Sequence, residues 1–236
     1  MPSFKPILGR AKGSEPFSNE GVDYTLTTNL EVMGAETHGG KKLKSSLWYE
    51  ARYSLKEQGS TKPGRNVGHL YAYLADKTKQ DSDGNVIWIE ENLQPRKDRT
   101  ELQMVMQELY TMIGNVKKQV REHADELQGD SILFIDSLFL KPEFHGRGLA
   151  QLAVPAFHRL LTQVSKGHDC SGTIVLSPAG TEDYLKDNGK MEVEIEKGLI
   201  KSYEKSGYKV WKKGDEDVEG SVTVMGYVMP KVDDDA

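Results

Sequence analysis

Between residues 140 and 151 the chain reads Leu140-Lys141-Pro142-Glu143-Phe144-His145-Gly146-Arg147-Gly148-Leu149-Ala150-Gln151, which holds the parts of an anion-binding turn. Gly146 and Gly148 let the backbone come close to oxygen atoms, and the amides of a helix's first turn point at whatever lies in front of them. Arg147 adds a planar cationic fork that suits a diphosphate better than a lysine would. Two carboxylates stand close by, Asp136 and Glu143. Acidic groups at strand ends are commonly solvated or paired, and a positioned one can also serve as a base. Farther on, Tyr203 closes a helical stretch before Ser206-Gly207-Tyr208, where the glycine already has a use as a helix C-cap. A phenol there is either packing or a proton donor.

These groups need elements to hold them. Residues 132–140 form a nearly unbroken apolar run with β-branched and aromatic members, as expected of a strand buried on both faces. After the glycine turn, Leu149, Leu152, Ala153, Ala156, Phe157, Leu160, Leu161 and Val164 trace a helical stripe in which Pro155 predicts a kink. Residues 173–176 read as another short buried strand, so strand, helix and strand make a βαβ unit with parallel strands. A second helix is expected over 192–205, and a closing strand over 222–228.

Upstream, residues 22–33, 46–56 and 67–76 read as strands. In the second of these Leu47, Tyr49, Ala51, Tyr53 and Leu55 recur with period two. Asp81-Ser82-Asp83-Gly84 before Val86-Ile87-Trp88-Ile89 reads as a hairpin tip. Leu102, Val105, Met106, Leu109, Met112, Ile113, Val116 and Val120 predict one amphipathic helix from about residue 100 to 127. Asp98 or Thr100 would cap its start, with Glu101 or Gln103 three residues on. Residues 1–21, rich in Pro, Gly and Ser, read as a flexible arm, residues 22–230 as a single domain, and 231–236 as an acidic tail.

The glycine turn and the terminal Tyr203-Glu204-Lys205-Ser206-Gly207-Tyr208 together resemble the GNAT superfamily of N-acetyltransferases. The family's pattern is Gln or Arg, two residues, Gly, one residue, then Gly or Ala. Gly148 and Ala150 match it, while His145 departs from its first position but can still donate a hydrogen bond. The resemblance covers residues 131–229. It implies an α/β fold with a mixed, mostly antiparallel central sheet, one splayed parallel strand pair and flanking helices.

It also implies acetyl-CoA as co-substrate, with its diphosphate on residues 145–151: His145, Gly146, Arg147, Gly148, Leu149, Ala150 and Gln151. Backbone groups of Leu138, Phe139 and Leu140 would pair with the pantetheine arm and supply the oxyanion donor. By position Tyr203 inherits the role of protonating the departing thiolate. Asp136 inherits the role of base, with Glu143 as the alternative. The acceptor is then an amine of a small molecule or protein, attacked directly in a ternary complex. The alternative is a catalytically inactive acyl-CoA-binding or sensing module of the same fold.

Composition narrows the classes further. The formal net charge is -5, so no global basic field gathers nucleic acid. A single cysteine, Cys170, forbids an internal disulfide and favours a core filler in a reducing compartment. Without a leader-like or membrane-length apolar run, the expectation is a cytoplasmic protein that binds no membrane, with nuclear entry and a homodimer both left open. The segment from Lys79 to Glu90 imitates a calcium loop, but Lys79 stands where an acidic ligand is needed. The six histidines show no paired metal-ligand spacing, so no metal is expected.

Overall fold

A computed structural model describes residues 6–36, 42–94, 100–165, 168, 170, 172–179, 192–215, 217–218 and 220–230. Its strands are β1 (Ile7–Asn19), β2 (Val22–Glu36), β3 (Lys42–Glu57), β4 (Arg65–Asp76), β5 (Ser131–Leu140), β6 (Thr173–Leu176), β7 (Lys209–Lys212) and β8 (Val224–Val228). The helices are α1 (Ile87–Asn92), α2 (Glu101–Leu109), α3 (Ala124–Leu127), α4 (Leu149–Leu161) and α5 (Glu192–Glu204). The fold is α/β with a mixed, mostly antiparallel sheet whose parallel pair is β5 and β6, as expected. The chain divides into two compact units. One is Met1–Ala75, Ile135–Ser171 and Met229–Ala236, and the other is Asp76–Phe134 and Gly172–Val228.

In the first unit the strand order is β1-β2-β3-β4-β5, with β5 contributing its C-terminal part. The period-two pattern is realised: Tyr49, Ala51 and Tyr53 of β3 and Leu70 and Ala72 of β4 have no accessible surface. They face α4, whose Leu149, Ala153, Phe157 and Leu161 are equally enclosed. Two tyrosines tie the layers polar-end first, Tyr53 Oη donating to the Ala153 carbonyl at 3.1 Å and Tyr49 Oη to the His168 carbonyl at 2.6 Å. The helix runs through Pro155 as one element.

The segment expected as an arm is instead β1, paired in antiparallel register along β2 from Ile7↔Met33 to Asn19↔Val22. Its inward positions alternate as a strand's should, but they are Gly9, Ala11 and Gly13 rather than Val or Ile. A Cβ at Gly9 would lie 2.6 Å from Val164 Cγ1, and one at Gly13 would lie 3.3 Å from Leu160 Cδ2. The strand is built of small residues because the end of α4 and the residues after it sit directly on it.

Buried within α4, His158 has a pKa pushed down to about 4 by burial. Below the ordinary value of 6.5 the unfolded chain takes up a proton that the folded chain refuses until about pH 4. This contribution to stability is therefore lost as pH falls through that window, and amounts to about 3 kcal/mol at ~1.4 kcal/mol per pH unit. His158→Gln should flatten the loss between pH 6.5 and 4 in denaturant titrations. An unchanged slope would show that another group carries it.

Where β4 meets β5, a Cβ on Gly68 would lie 2.2 Å from the Phe139 carbonyl oxygen and 2.8 Å from Leu140 Cδ2. Gly68→Ala should therefore cost about 1–3 kcal/mol in urea denaturation, through forced separation of the two strands.

In the second unit the order is β5-β6-β8-β7. The expected hairpin tip is a turn closed by the bridge Gln80↔Val86, with Asp81 Oδ1 accepting from the amides of Asp83 and Asn85 at 2.9 Å. The element after this turn is a helix, α1, rather than a strand, since four apolar residues in a row do not by themselves decide the period.

The long helix expected over 100–127 is also corrected. Thr100 and Gln103 form the capping box that opens α2, and Leu102, Val105, Met106 and Leu109 are its buried stripe. The helix stops at Tyr110, which is extended at φ -124°. A turn from Thr111 to Asn115 follows, with Gly114 left-handed at φ 82°, and leaves Met112 and Ile113 exposed. A 3-10 segment, Lys118–His123, and the short α3 complete the stretch. Asp98, the other proposed cap, and the tail 231–236 lie outside the described residues.

Candidate functional site

The glycine turn folds as a sequence of tight steps. Lys141 N–H donates to the Val67 carbonyl at 2.9 Å and ends β5 against β4. Pro142–Phe144 then make one 3-10 turn, which Phe144 anchors by being buried. Gly146 and Gly148 both take the left-handed conformation, at φ 72° and 80°, and Gly148 is the N-cap residue of α4. No heavy atom lies within 4 Å of a Cβ built on either glycine. Glycine is therefore required here by backbone conformation, and space lies open in front of both residues. The first amides of the thirteen-residue α4 carry the positive end of the helix dipole beside that space.

The side chains of the turn divide by role. Arg147 Nη1 lies 3.0 Å from Glu20 Oε2, in the β1–β2 turn where Glu20 itself has φ 52°. Both partners are substantially exposed, so this pair adds little stability and leaves the guanidinium free to exchange partners. His145 turns back on the strand, with Nε2 at 2.7 Å from the Leu140 carbonyl, a bond that needs the proton on that nitrogen. Its ring pins the turn to the strand end. Leu149, the first residue of α4, is fully buried, while Ala150 and Gln151 continue the first helical turn, the Gln151 amide donating to the Gly148 carbonyl at 3.1 Å. Open space bounded by two left-handed glycines and a cationic fork fits a diphosphate group.

On β5, Leu138 is half-buried, Leu140 is buried and Phe139 is nearly half exposed. The Phe139 ring stacks on His69 of β4, with centroids 5.3 Å apart at 25°. Asp136 is half-buried. Its charge adds to the burial that pushes the Tyr73 phenol up to about 12. Glu143 Oε1 lies 3.9 Å from Arg65 Nη1, and Arg65 in turn sits 4.8 Å from the Phe144 ring centroid.

Tyr203 belongs to the second unit, at the C-terminal end of α5. The helix ends in a Schellman motif: Tyr208 N–H donates to the Tyr203 carbonyl at 3.2 Å and Gly207 N–H to the Glu204 carbonyl at 3.0 Å. Gly207 has φ 91°, as the motif requires. The rings of Tyr203 and Tyr208 meet edge to face at 5.7 Å. As a residue Tyr203 keeps some accessible surface, yet the protein packed around its phenol, helped by the charge of Glu101, pushes its pKa up to about 12. Such a phenol remains a proton donor across the physiological range.

The residues from Asp136 to Gln151 are thus brought together in the first unit. Two of their neighbours went unseen in the sequence. Glu20 sits in the β1–β2 turn that the expected arm concealed, and His69 carries no spacing signal, because its relation to Phe139 arises only from the pairing of β4 with β5.

Among the described residues no cluster of three or more His, Cys, Asp or Glu could hold a metal ion, and no helix is long and apolar enough to cross a membrane. No protein-family model matches the chain, and no curated protein matches it. Among solved structures, one assigned to arylalkylamine N-acetyltransferase 7 of the yellow fever mosquito is similar, at 12% identity and a TM-score of 0.39. The match covers 75% of this chain and 63% of that one, so the chain spans less than two thirds of its structural neighbour. The mixed sheet, its parallel pair β5 and β6, and the glycine turn that leads from β5 into α4 are the arrangement expected from the sequence.

Proposed function

We propose that the protein is an N-acetyltransferase that moves an acetyl group from acetyl-CoA to a primary amine by direct attack. The observation that carries this reading is the open, doubly left-handed turn Gly146-Arg147-Gly148 at the head of α4. Acetyl-CoA supplies an acetyl thioester. The amides of residues 146–150 and the Arg147 guanidinium hold its diphosphate. Main-chain groups of Leu138, Phe139 and Leu140 align the pantetheine arm and stabilise the oxyanion, as oriented donors do where charge develops.

An alkyl ammonium has a pKa near ~10.4 and must lose a proton before it can attack. Asp136 is the carboxylate proposed to meet the incoming ammonium on the β5 side and act as its base, with Glu143, 3.9 Å from Arg65, as the alternative. Tyr203 donates the proton that the departing thiolate needs. The remaining groups proposed for the turn, His145, Leu149 and Gln151, shape it. The compartment that fits this reading is the cytoplasm, where acetyl-CoA and free thiols coexist, and the proposed assembly is a monomer or homodimer.

The test is release of free thiol from acetyl-CoA in the presence of a panel of amines, peptides and proteins. Turnover with at least one acceptor is expected. Tight acetyl-CoA binding without turnover for any acceptor would make the protein a binding or sensing module, and would overturn the transferase assignment.

A further inference from the structure

The first unit's sheet has one face under α4, and the other carries a row of polar and aromatic groups. Strand alternation places Trp48, Glu50 and Arg52 of β3 on that second face, each opposite one of Tyr73, Tyr71 and His69 on β4. An amine that approaches the main chain of residues 138–140 from the side away from α4 meets this face. His69 lies where that approach ends, with its ring stacked on Phe139 and 4.5 Å from the Tyr71 ring. The imidazole at the strand end, His145, is occupied by the Leu140 carbonyl. Among the described residues no hydrogen bond engages the ring nitrogens of His69.

We propose that His69 is the group that takes the proton from the acceptor amine as it attacks. This rests on the transfer reading above and deepens it, with His69 as the base in place of Asp136, which is left to attract the ammonium. The proton balance closes. The ammonium loses two protons in becoming an amide: one goes through His69 to solvent, and the other is matched by the proton Tyr203 gives the thiolate. The new bond is C–N, the broken one C–S, and nothing is oxidised.

The surroundings of His69 suit a base. Burial lowers its pKa, which the adjoining Glu50 raises and Arg52 lowers, with a net fall below the ordinary imidazole value. Glu50 and Arg52 are themselves tied by a 2.7 Å contact, so neither dominates. Burial therefore favours the neutral imidazole, the form that can accept a proton.

Two measurements test this. In the wild-type protein, an NMR titration of the His69 ring should give a pKa below 6.5, and a value at or above it would overturn the proposal. In acetyl transfer to phenethylamine, spermidine and a lysine peptide, His69→Gln should lower kcat about a hundredfold or more and abolish the acidic limb of the pH profile. Acetyl-CoA affinity should be unchanged, and free imidazole should restore turnover to His69→Ala. Survival of the limb in His69→Gln together with its loss in Asp136→Asn would assign the base to the carboxylate and refute His69. If wild-type protein acetylates none of these acceptors, the transferase reading fails and His69 fails with it.

Discussion

Arg147→Glu should weaken acetyl-CoA binding about tenfold to a hundredfold while leaving the first unit folded. A charge-assisted hydrogen bond to a phosphate contributes about 1.5–3 kcal/mol, and its removal accounts for that range before the repulsion of the new carboxylate is added. The fold should survive because the ion pair lost is the exposed contact with Glu20, and such pairs contribute little. Gly148→Val should weaken binding further, for a different reason. A β-branched residue cannot comfortably hold φ 80°, so the start of α4 must rearrange and its amides lose their common direction. Isothermal titration of each variant with acetyl-CoA separates the two effects, and the circular dichroism melt reports whether α4 is intact. Binding that is indifferent to both substitutions would place the coenzyme elsewhere.

Tyr203→Phe carries the other large effect. A positioned general acid contributes about 10²- to 10⁴-fold, so turnover should fall by that factor while acetyl-CoA affinity changes little. Burial and Glu101 keep the phenol protonated up to about pH 12. An acid works only while protonated, so no descending limb from Tyr203 should appear in kcat below that pH. The Schellman motif at the end of α5 is made by backbone groups and by Gly207, so it should survive loss of the hydroxyl. A variant with full turnover would reduce Tyr203 to the packing role that its contact with Tyr208 already gives it.

The second half of the site was legible because its signals are local. The apolar run of β5, the stripe of α4 and the four buried residues of β6 each announce their own period, and the glycines between them mark the turn. The parts that stayed hidden depend on neighbours. Strand β1 reads as a loop because its inward positions are Gly9, Ala11 and Gly13, a choice that makes sense only with α4 lying against them. The apolar stripe of α2 persists into Met112 and Ile113, yet Gly114 and the Thr111–Asn115 turn break the helix first, and those two side chains are exposed. His69 acquires a role only through its strand partner, and Arg147 finds Glu20 only because β1 and β2 are joined by a turn at that end. Periodicity reports which face of an element is buried, but it carries no information about what packs there.

The most direct measurement is the melting temperature of the purified protein against rising acetyl-CoA, with desulfo-CoA and adenosine as controls. Saturation at a hundred times the dissociation constant should add about 2.7 kcal/mol of stability. Desulfo-CoA, which keeps the diphosphate, should reproduce the shift, while adenosine should not. A melt unmoved by millimolar acetyl-CoA would contradict the claim that the turn at Gly146 and Gly148 holds the coenzyme's diphosphate.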